Sequence, residues 1–283
     1  MPMVPTIELL NAAAEAGYGV GAFNVIGLEH AQAITMGAEQ AQAPVILQVS
    51  QNAVRYQLGS LQALGRACTC LAESARVPVA LHLDHATDWD LCEEALDLGF
   101  GSVMLDASQL PFEENVTFTK RIAEQVHRRG KTIEAELGVV GGKDGAITTD
   151  EGNTDPELAR SYVEATGIDA LAVAVGTSHY MVDYTADVDL NLVSRLRRAL
   201  SVPLVLHGSS GVPPETLREA VHRGIVKVNT ATELNKAYTR AVRRYLVTHE
   251  DAVDPRPYLS EAREQMAAAV AERMHVIGSA GRA

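Results

Sequence analysis

Three histidines in this sequence have the side-chain chemistry of zinc ligands. His85 ends one short apolar run, His207 lies at the end of another, and His179 follows a third within three residues. Three imidazoles from separate elements, with one coordination position left open, are typical of catalytic zinc. Each histidine taken alone also fits a simpler interpretation, in which it ends a strand or meets a backbone carbonyl. Their shared position beside a carboxylate favours a metal site.

The carboxylate is Asp84, which directly precedes His85. Alternation along a strand predicts that these two side chains leave it in different directions. A carboxyl group beside a Lewis-acid metal, but not bound to it, can shuttle a proton to a substrate oxygen. It can also orient a metal-bound histidine through a hydrogen bond. Both roles place Asp84 in the site.

Two segments late in the chain have the composition of phosphate-binding loops. The first contains Gly208, Ser209 and Ser210, and the second is Asn229, Thr230, Ala231 and Thr232, followed by a helical pattern over 233–246. Backbone N–H groups near the N-terminus of a helix bind phosphate. A Gly-Ser loop alone is most often only a turn, so the prediction depends on where the fold places both segments.

Short aliphatic or β-branched runs alternate with helical patterns along the whole chain. The runs lie at 20–24, 44–50, 79–85, 102–106, 132–137, 170–176, 203–208 and 225–229. Several are continuously apolar, as in parallel strands that are covered on both faces. The alternation predicts an α/β protein with a (β/α)8 TIM barrel, and a doubly wound open sheet is the alternative because periodicity does not show closure. In a barrel the carboxyl ends of the strands share one rim, which would bring the histidines and both loops together.

Two segments are additional to the eight strand–helix units of a minimal barrel. Residues 138–153 are rich in Gly and Asp and follow the fifth strand, which predicts a long loop that acts as a lid. A C-terminal helix over 261–277 forms an extension that packs on the barrel or against another subunit. No linker or repeat divides the chain, so we expect a single domain over 1–283.

Charge and composition exclude several functional classes. The net charge is −12, which disfavours nucleic acid and an anionic membrane as partners. Aromatic residues are only 5% of the chain, so the core must be aliphatic. A local site built from a metal ion and backbone N–H groups still allows a phosphorylated substrate.

The sequence also indicates in which cellular compartment the protein is found. It shows neither a signal peptide nor an apolar run long enough to span a bilayer. Cys68, Cys70 and Cys92 are too few for a disulfide framework and predict reduced thiols in a cytoplasmic protein.

Six ordered segments resemble those of the class II, zinc-dependent ketose-bisphosphate aldolases. They are Asp84-His85, SQLPFEENV from Ser108, IEAELG from Ile133, GTSH from Gly176, LHGSSG from Leu206 and KVNTATEL from Lys227. The resemblance extends over nearly the whole chain. It implies reversible retro-aldol cleavage of a ketose 1,6-bisphosphate to dihydroxyacetone phosphate and glyceraldehyde 3-phosphate, in a homodimer or homotetramer.

The resemblance also implies a role for each matching residue. His85, His179 and His207 would bind Zn²⁺, which would polarise the ketone and stabilise the enediolate. Asp84 would donate a proton to the aldehyde oxygen. Asp106 and Glu136 would be ligands of an alternative metal position. Asn24 and Ser50 would contact substrate or phosphate. The ketose phosphate would bind, with Na⁺ or K⁺ nearby, to Gly208, Ser209, Ser210, Asn229, Thr230, Ala231 and Thr232.

Three positions depart from the family pattern. Tyr180 stands where members commonly have Gly, so its phenol would fill the pocket or supply a hydroxyl to another substrate. Asp144 stands where a loop Glu usually abstracts the substrate proton, and Asp150 or Glu151 is the alternative. Ala231 resembles the tagatose-bisphosphate branch, because fructose-bisphosphate members often carry Asp there.

Besides the aldolase, three other functions fit parts of the pattern. A metal lyase of the same kind would act on a different substrate because Tyr180 remodels the phosphate pocket. A catalytically silent binding protein would keep the barrel, although the complete set of Asp84 and three histidines disfavours it. A metallohydrolase would usually place its ligands earlier in the barrel.

Overall fold

Eight parallel strands close into a barrel in a computed structural model, which describes residues 3–137 and 153–283. The strands are β1 (Val20–Asn24), β2 (Val45–Ser50), β3 (Val79–Ala86), β4 (Ser102–Leu105), β5 (Thr132–Leu137), β6 (Ala170–Val173), β7 (Leu204–Leu206) and β8 (Ile225–Thr230). Strand β8 pairs with β1, with Ala22 opposite Asn229, so the sheet has no open edge. The predicted TIM barrel is confirmed and the open sheet is wrong.

Helices connect the strands and cover the barrel. They are α1 (Thr6–Ala16), α2 (Leu28–Ala41), α3 (Gln51–Tyr56), α4 (Gln62–Ser74), α5 (Trp89–Asp97), α6 (Phe112–Arg128), α7 (Pro156–Thr166), α8 (Leu190–Ala199), α9 (Pro214–His222), α10 (Thr232–Thr248) and α11 (Pro255–Val276). Asp88 and Asp155 are the N-caps of α5 and α7, because their carboxylates accept hydrogen bonds from Leu91 N at 3.0 Å and Leu158 N at 2.8 Å. Within the described chain, none of the helices is both long enough and apolar enough to cross a bilayer.

Small side chains fill the interior of the barrel. Ala22, Ala80 and Ala172 pack there with larger residues such as Ile46 and Met104. Helix α1 closes the end of the barrel where the strands begin, with Leu9, Leu10 and Ala13 in the same cluster. The aliphatic core expected from the low aromatic content is therefore present, and the opposite rim is left for the site.

The C-terminal extension is longer than predicted. Helix α11 begins at Pro255, six residues before the expected start, and Asp254 caps it by accepting from Arg256 N at 3.0 Å. Pro255 and Pro257 lie in the first turn, where a missing N–H costs no hydrogen bond. The helix packs against α2 so closely that a Cβ at Gly37 would lie 2.5 Å from the carbonyl oxygen of Ala267. The extension is thus packed on the barrel.

Candidate active site

A bulge in β3 brings Asp84 and His85 to the same cavity. The β3–β4 register shifts between Leu83 and Ala86, and His85 has a φ of 53°, in the left-handed region. Asp84 Oδ2 therefore lies 3.8 Å from His85 Nε2. The prediction that the two side chains leave in different directions was wrong, because the bulge breaks the alternation of the strand.

His179 reaches the rim on a loop, since β6 already ends at Val173. The loop passes close to the residue that follows His207. Gly208 has a φ of 68°, and a Cβ there would lie 2.5 Å from the carbonyl oxygen of Ser178. Only glycine allows this approach. Because position 208 is glycine, the loop that carries His179 can approach the segment that carries His207 this closely.

The three predicted histidines meet at the rim. Their ring centroids are 4.8 Å apart for His85 and His207, 5.3 Å for His85 and His179, and 5.7 Å for His179 and His207. One nitrogen from each ring lies within 4.8 Å of the others. This spacing matches three nitrogen ligands around one divalent ion, with room for a further ligand.

His207 is oriented by a charged pair inside the barrel. Its Nε2 lies 3.1 Å from Glu134 Oε1, and Glu134 Oε2 accepts from Lys227 Nζ at 2.6 Å. A carboxylate on Nε2 favours a proton on that nitrogen and leaves Nδ1 as the lone-pair atom. Nδ1 lies 3.1 Å from His85 Nε2, on the side of the other two rings. The pair therefore directs the metal-binding atom of His207 into the site.

The environment of His207 keeps its imidazole neutral. The residue is fully buried, and burial together with the neighbouring His85 holds the pKa of His207 well below its usual value. A neutral ring is the form that binds a metal ion. The donor set and its protonation thus fit a divalent metal.

Two carboxylates, those of Asp106 and Glu136, lie beside the three histidines. Asp106 Oδ2 is 2.8 Å from His85 Nδ1, and Glu136 Oε2 is 3.8 Å from His207 Nδ1. His85, Asp106 and Glu136 form a second group whose ligand atoms lie within 4.8 Å of one another. Their placement agrees with the second metal position that the resemblance implies.

A cavity of about 360 Å³ opens at this rim. Of the residues predicted from sequence, it is lined by Asn24, Ser50, Asp84, His85, His179, Tyr180, His207, Gly208, Ser210, Asn229, Ala231 and Thr232. The volume is in the range of small-molecule sites. Sequence reasoning missed Gln48, Asn52, Tyr56 and Asn235, which also line it. Their types carry no pattern that separates them from other polar residues near strand ends.

Two of the predicted phosphate-binding side chains do not line the cavity. Ser209 and Thr230 are fully buried, and their hydroxyl oxygens lie 3.0 Å apart. Ser209 also donates to the carbonyl oxygen of Asn229 at 2.6 Å. These two hydroxyls therefore join the two loops to each other.

The remaining loop residues surround the start of α10. Ser210 Oγ accepts from Glu233 N at 3.2 Å, and Ala231 occupies the N-cap position, where alanine has no side-chain acceptor. The first N–H groups of a helix that donate to no side chain, here those other than Glu233 N, are available to an anion. These loops follow the last two strands, which is where barrel enzymes frequently bind phosphate.

Asn24, Ser50 and Tyr180 differ in how they are held. Asn24 Oδ1 accepts from Gln48 Nε2 at 3.1 Å, and Ser50 Oγ accepts from Ala53 N at 3.2 Å as the N-cap of α3. Tyr180 is 67% exposed at the mouth, with a φ of 61°. That dihedral explains why glycine suits this position, and tyrosine adopts it at a cost in strain.

The three loop carboxylates predicted as candidates for proton abstraction, Asp144, Asp150 and Glu151, lie outside the described residues.

Known proteins resemble this chain over its full length. A profile of the family described as "Fructose-bisphosphate aldolase class-II" matches residues 4–282. The fructose-bisphosphate aldolase of Thermus caldophilus is 42% identical over 307 aligned positions, which cover 99% of this chain and 100% of the relative. The fructose-bisphosphate aldolase of Geobacillus stearothermophilus is 40% identical over 287 positions, covering 100% and 99%.

Solved structures agree with these relatives. The YdjI aldolase from Escherichia coli K12 superposes with a TM-score of 0.88 at 32% identity, and the match covers 99% of each chain. These similarities favour the aldolase over the alternative of a lyase with another substrate. Together with the three histidines at the rim, they show that the chain belongs to the class II fructose-bisphosphate aldolase family and is a metal-dependent aldolase.

Proposed function

We propose that this aldolase uses Zn²⁺ to cleave a ketose 1,6-bisphosphate of the fructose or tagatose type. The products are dihydroxyacetone phosphate and glyceraldehyde 3-phosphate, and the reaction is reversible. The observation that carries the proposal is the convergence of His85, His179 and His207 beside Asp84 in one cavity. The names of the curated relatives support fructose 1,6-bisphosphate as a substrate.

The three imidazoles would hold the ion, and Glu134 would keep His207 in the tautomer that presents Nδ1. When bound, a divalent ion polarises the ketone oxygen and stabilises the negative charge that develops there during cleavage. Nitrogen ligands in this number also accept cobalt or manganese, and the tetrahedral preference of such sites supports zinc. Asp106 and Glu136 would hold the ion in a second position during the reaction cycle.

Asp84 would move the proton at the aldehyde oxygen. During cleavage it accepts the proton of the C4 hydroxyl as the C3–C4 bond breaks and C4 becomes the aldehyde carbon; during condensation it returns that proton. Asp84 is 3% exposed, and its Oδ1 has no hydrogen-bond partner in the described part of the protein, which suits contact with a substrate hydroxyl. Asp144 remains our candidate for the proton transfer at C3, with Asp150 or Glu151 as the alternative.

The ketose phosphate would bind at the start of α10. Gly208, Ser210, Ala231 and Thr232 surround that end of the cavity, and Na⁺ or K⁺ nearby would add positive charge. Backbone N–H groups, the helix dipole and the metal supply an anion site although the net charge of the chain is −12.

We also propose a single domain over 1–283 that assembles as a homodimer or homotetramer in the cytoplasm. The free thiols of Cys68, Cys70 and Cys92 support a reducing compartment. The packing of α11 against the barrel supports one folding unit. Light scattering on the purified protein measures the assembly.

Metal analysis and a cleavage assay on two variants test the function. Asp84→Ala should keep the metal and lose cleavage by a factor on the order of 10² or more, as expected for a group that acts as general base in cleavage and general acid in condensation. His179→Ala should lose both metal and activity, whereas His127→Ala, a histidine on the exposed face of α6, should lose neither. Full activity in Asp84→Ala, or full metal content in His179→Ala, would contradict the proposed site.

A further inference from the structure

Helix α11 places a buried arginine behind the start of α10. Arg273 is 3% exposed, and among the described residues it is the only arginine that is buried. Its guanidinium forms an ion pair with Glu233, in the first turn of α10, while its Nε and Nη1 meet no hydrogen-bond acceptor in the described part of the chain. Burial lowers the pKa of Arg273, so the carboxylate of Glu233 is needed to compensate a cation inside the protein.

Glu233 has a second partner, which comes from another element. Tyr184, on the segment between β6 and α8, donates a hydrogen bond from its phenol to Glu233 Oε1 at 3.0 Å. The other carboxylate oxygen, Oε2, faces the guanidinium of Arg273. The two oxygens therefore have separate partners, and together these partners hold the side chain of Glu233 in one position.

The carboxylate of Glu233 lies at the helix start that we propose binds the ketose phosphate. Thr232 and Asn235 in the same turn line the cavity, and Glu233 N donates to Ser210 Oγ at 3.2 Å. A carboxylate in the first turn of a helix is attracted to the positive end of the helix dipole. It competes with a bound phosphate for that end and repels its negative charge. Glu233 therefore disfavours phosphate unless its own charge is compensated.

We propose that Arg273 is a positioning residue for phosphate binding, which neutralises Glu233 and, with Tyr184, holds its carboxylate away from the cavity. The inference rests on the proposed function and adds a role for the C-terminal helix in substrate binding. Arg273 is not among the residues that line the cavity, so it acts on the substrate only through Glu233. It contributes to the binding of dihydroxyacetone phosphate and not to the making or breaking of the carbon–carbon bond.

The alternative is that the ion pair only joins α10 to α11. Arg244 and Glu261 form such a pair between the same two helices, with side chains 56% and 31% exposed. Loss of a pair that only joins helices lowers stability, and the loss is not repaired by removing the remaining carboxylate. The two roles therefore differ in whether the effect of losing Arg273 depends on the charge of Glu233.

Condensation by the whole metal-loaded enzyme separates these roles. The constants kcat and KM for dihydroxyacetone phosphate are measured at a fixed concentration of D-glyceraldehyde 3-phosphate. Arg273→Met leaves the charge of Glu233 uncompensated and should raise KM about 5- to 30-fold, with kcat changed less than about threefold. The increase should shrink at high ionic strength, because salt screens the repulsion. Arg273→Lys keeps the cation and should stay within about threefold of the native KM.

Removal of both charges is the sharpest comparison. In Arg273→Met with Glu233→Gln no carboxylate is left to repel the phosphate, so KM should return to within about threefold of the native value. Arg244→Met on α10 is the matched control and should leave KM unchanged. A folded Arg273→Met protein with the native KM overturns the inference, and so does a double variant whose KM stays as high as that of Arg273→Met.

Glu233→Gln alone keeps the test open if Arg273→Met does not fold. The inference then expects a KM at or below the native value, and a rise of about fivefold or more overturns it. Each of these results leaves the proposed function standing, because the native protein still condenses the two substrates. Failure of the native protein to condense them overturns the proposed function, and the inference with it.

Discussion

Lys227 Nζ lies 2.6 Å from Glu134 Oε2 across the interior of the barrel, and the side chains are only 0% and 3% exposed. The second oxygen of Glu134 lies 3.1 Å from His207 Nε2. A buried lysine and a buried glutamate are each costly, and together they fix the tautomer of a candidate metal ligand. This pair connects the packed core to the chemistry at the rim.

Replacing only one partner of the Lys227–Glu134 ion pair should destabilise the protein strongly. Lys227→Met leaves the Glu134 carboxylate buried without its cation, which we expect to lower the free energy of unfolding by about 3–5 kcal/mol. The double variant Lys227→Met with Glu134→Gln should recover much of that loss, because no uncompensated charge remains. Urea unfolding of all three proteins measures the difference. A loss below about 1 kcal/mol in Lys227→Met would show that the lysine is not needed to compensate the buried charge.

Glu134→Gln should also weaken metal binding. A glutamine cannot replace the negative charge that favours the Nε2 proton of His207, so the wrong tautomer becomes more populated. Removal of such a partner typically costs 10- to 100-fold in metal affinity. Competition with a chelator measures it, and Glu157→Gln, an exposed residue of α7, is the control. Equal zinc affinity in native protein and Glu134→Gln would contradict the orienting role.

The apolar runs predicted the positions of the strands, because parallel strands that are buried on both faces contain few polar residues. Each of the eight predicted runs overlaps an observed strand, and only β3 and β8 extend beyond their runs, by one residue each. The direction of His85 was not predictable, since a bulge and a left-handed residue leave no trace in the hydrophobic pattern. Helices α1 and α3 were missed, the latter because six residues carry too little periodicity. Ser209 and Thr230 were assigned to substrate because sequence alone does not distinguish a hydroxyl that joins two loops from one that faces a ligand.

The buried His82 predicts a loss of stability at acid pH. Its Nδ1 lies 2.7 Å from Ser102 Oγ, and burial, aided by Lys227, holds the pKa of His82 well below its usual value. Below pH ~6.5 the unfolded chain binds a proton at this residue and the folded chain does not, so stability is complete above that pH and falls as the pH is lowered. The slope is up to about 1.4 kcal/mol per pH unit for each such histidine.

Urea unfolding of the metal-free protein over this pH range checks the expectation. His82→Gln should show a shallower decline below pH ~6.5, and His127→Gln, which is exposed, should not. His207 is neutral and buried as well, so a residual slope is expected in His82→Gln. An unchanged slope in His82→Gln would show that the residue does not bind a proton on unfolding.

The three cysteines should differ sharply in reactivity. Burial raises the pKa of Cys68 and of Cys92 to about 12, whereas Cys70 is exposed on α4. Thiolates are the reactive form, so one thiol should react with a disulfide reagent in the native protein and three in denaturant. Cys70→Ser should abolish the native reaction. More than one fast-reacting thiol in the folded protein would contradict the burial of Cys68 and Cys92.

Replacement of Tyr180 by glycine should relieve strain at the mouth of the cavity. A left-handed backbone costs a tyrosine about 1–2 kcal/mol, and glycine loses about 0.5–1 kcal/mol through its greater freedom in the unfolded chain. Because 67% of Tyr180 is exposed, little packing is lost. We therefore expect Tyr180→Gly to match the native stability or exceed it by up to about 1.5 kcal/mol, and Tyr180→Ala, which keeps the unfavourable φ of 61°, to show no gain. Thermal unfolding ranks the three proteins, and a Tyr180→Gly variant less stable than Tyr180→Ala would mean that the backbone strain at this position is negligible.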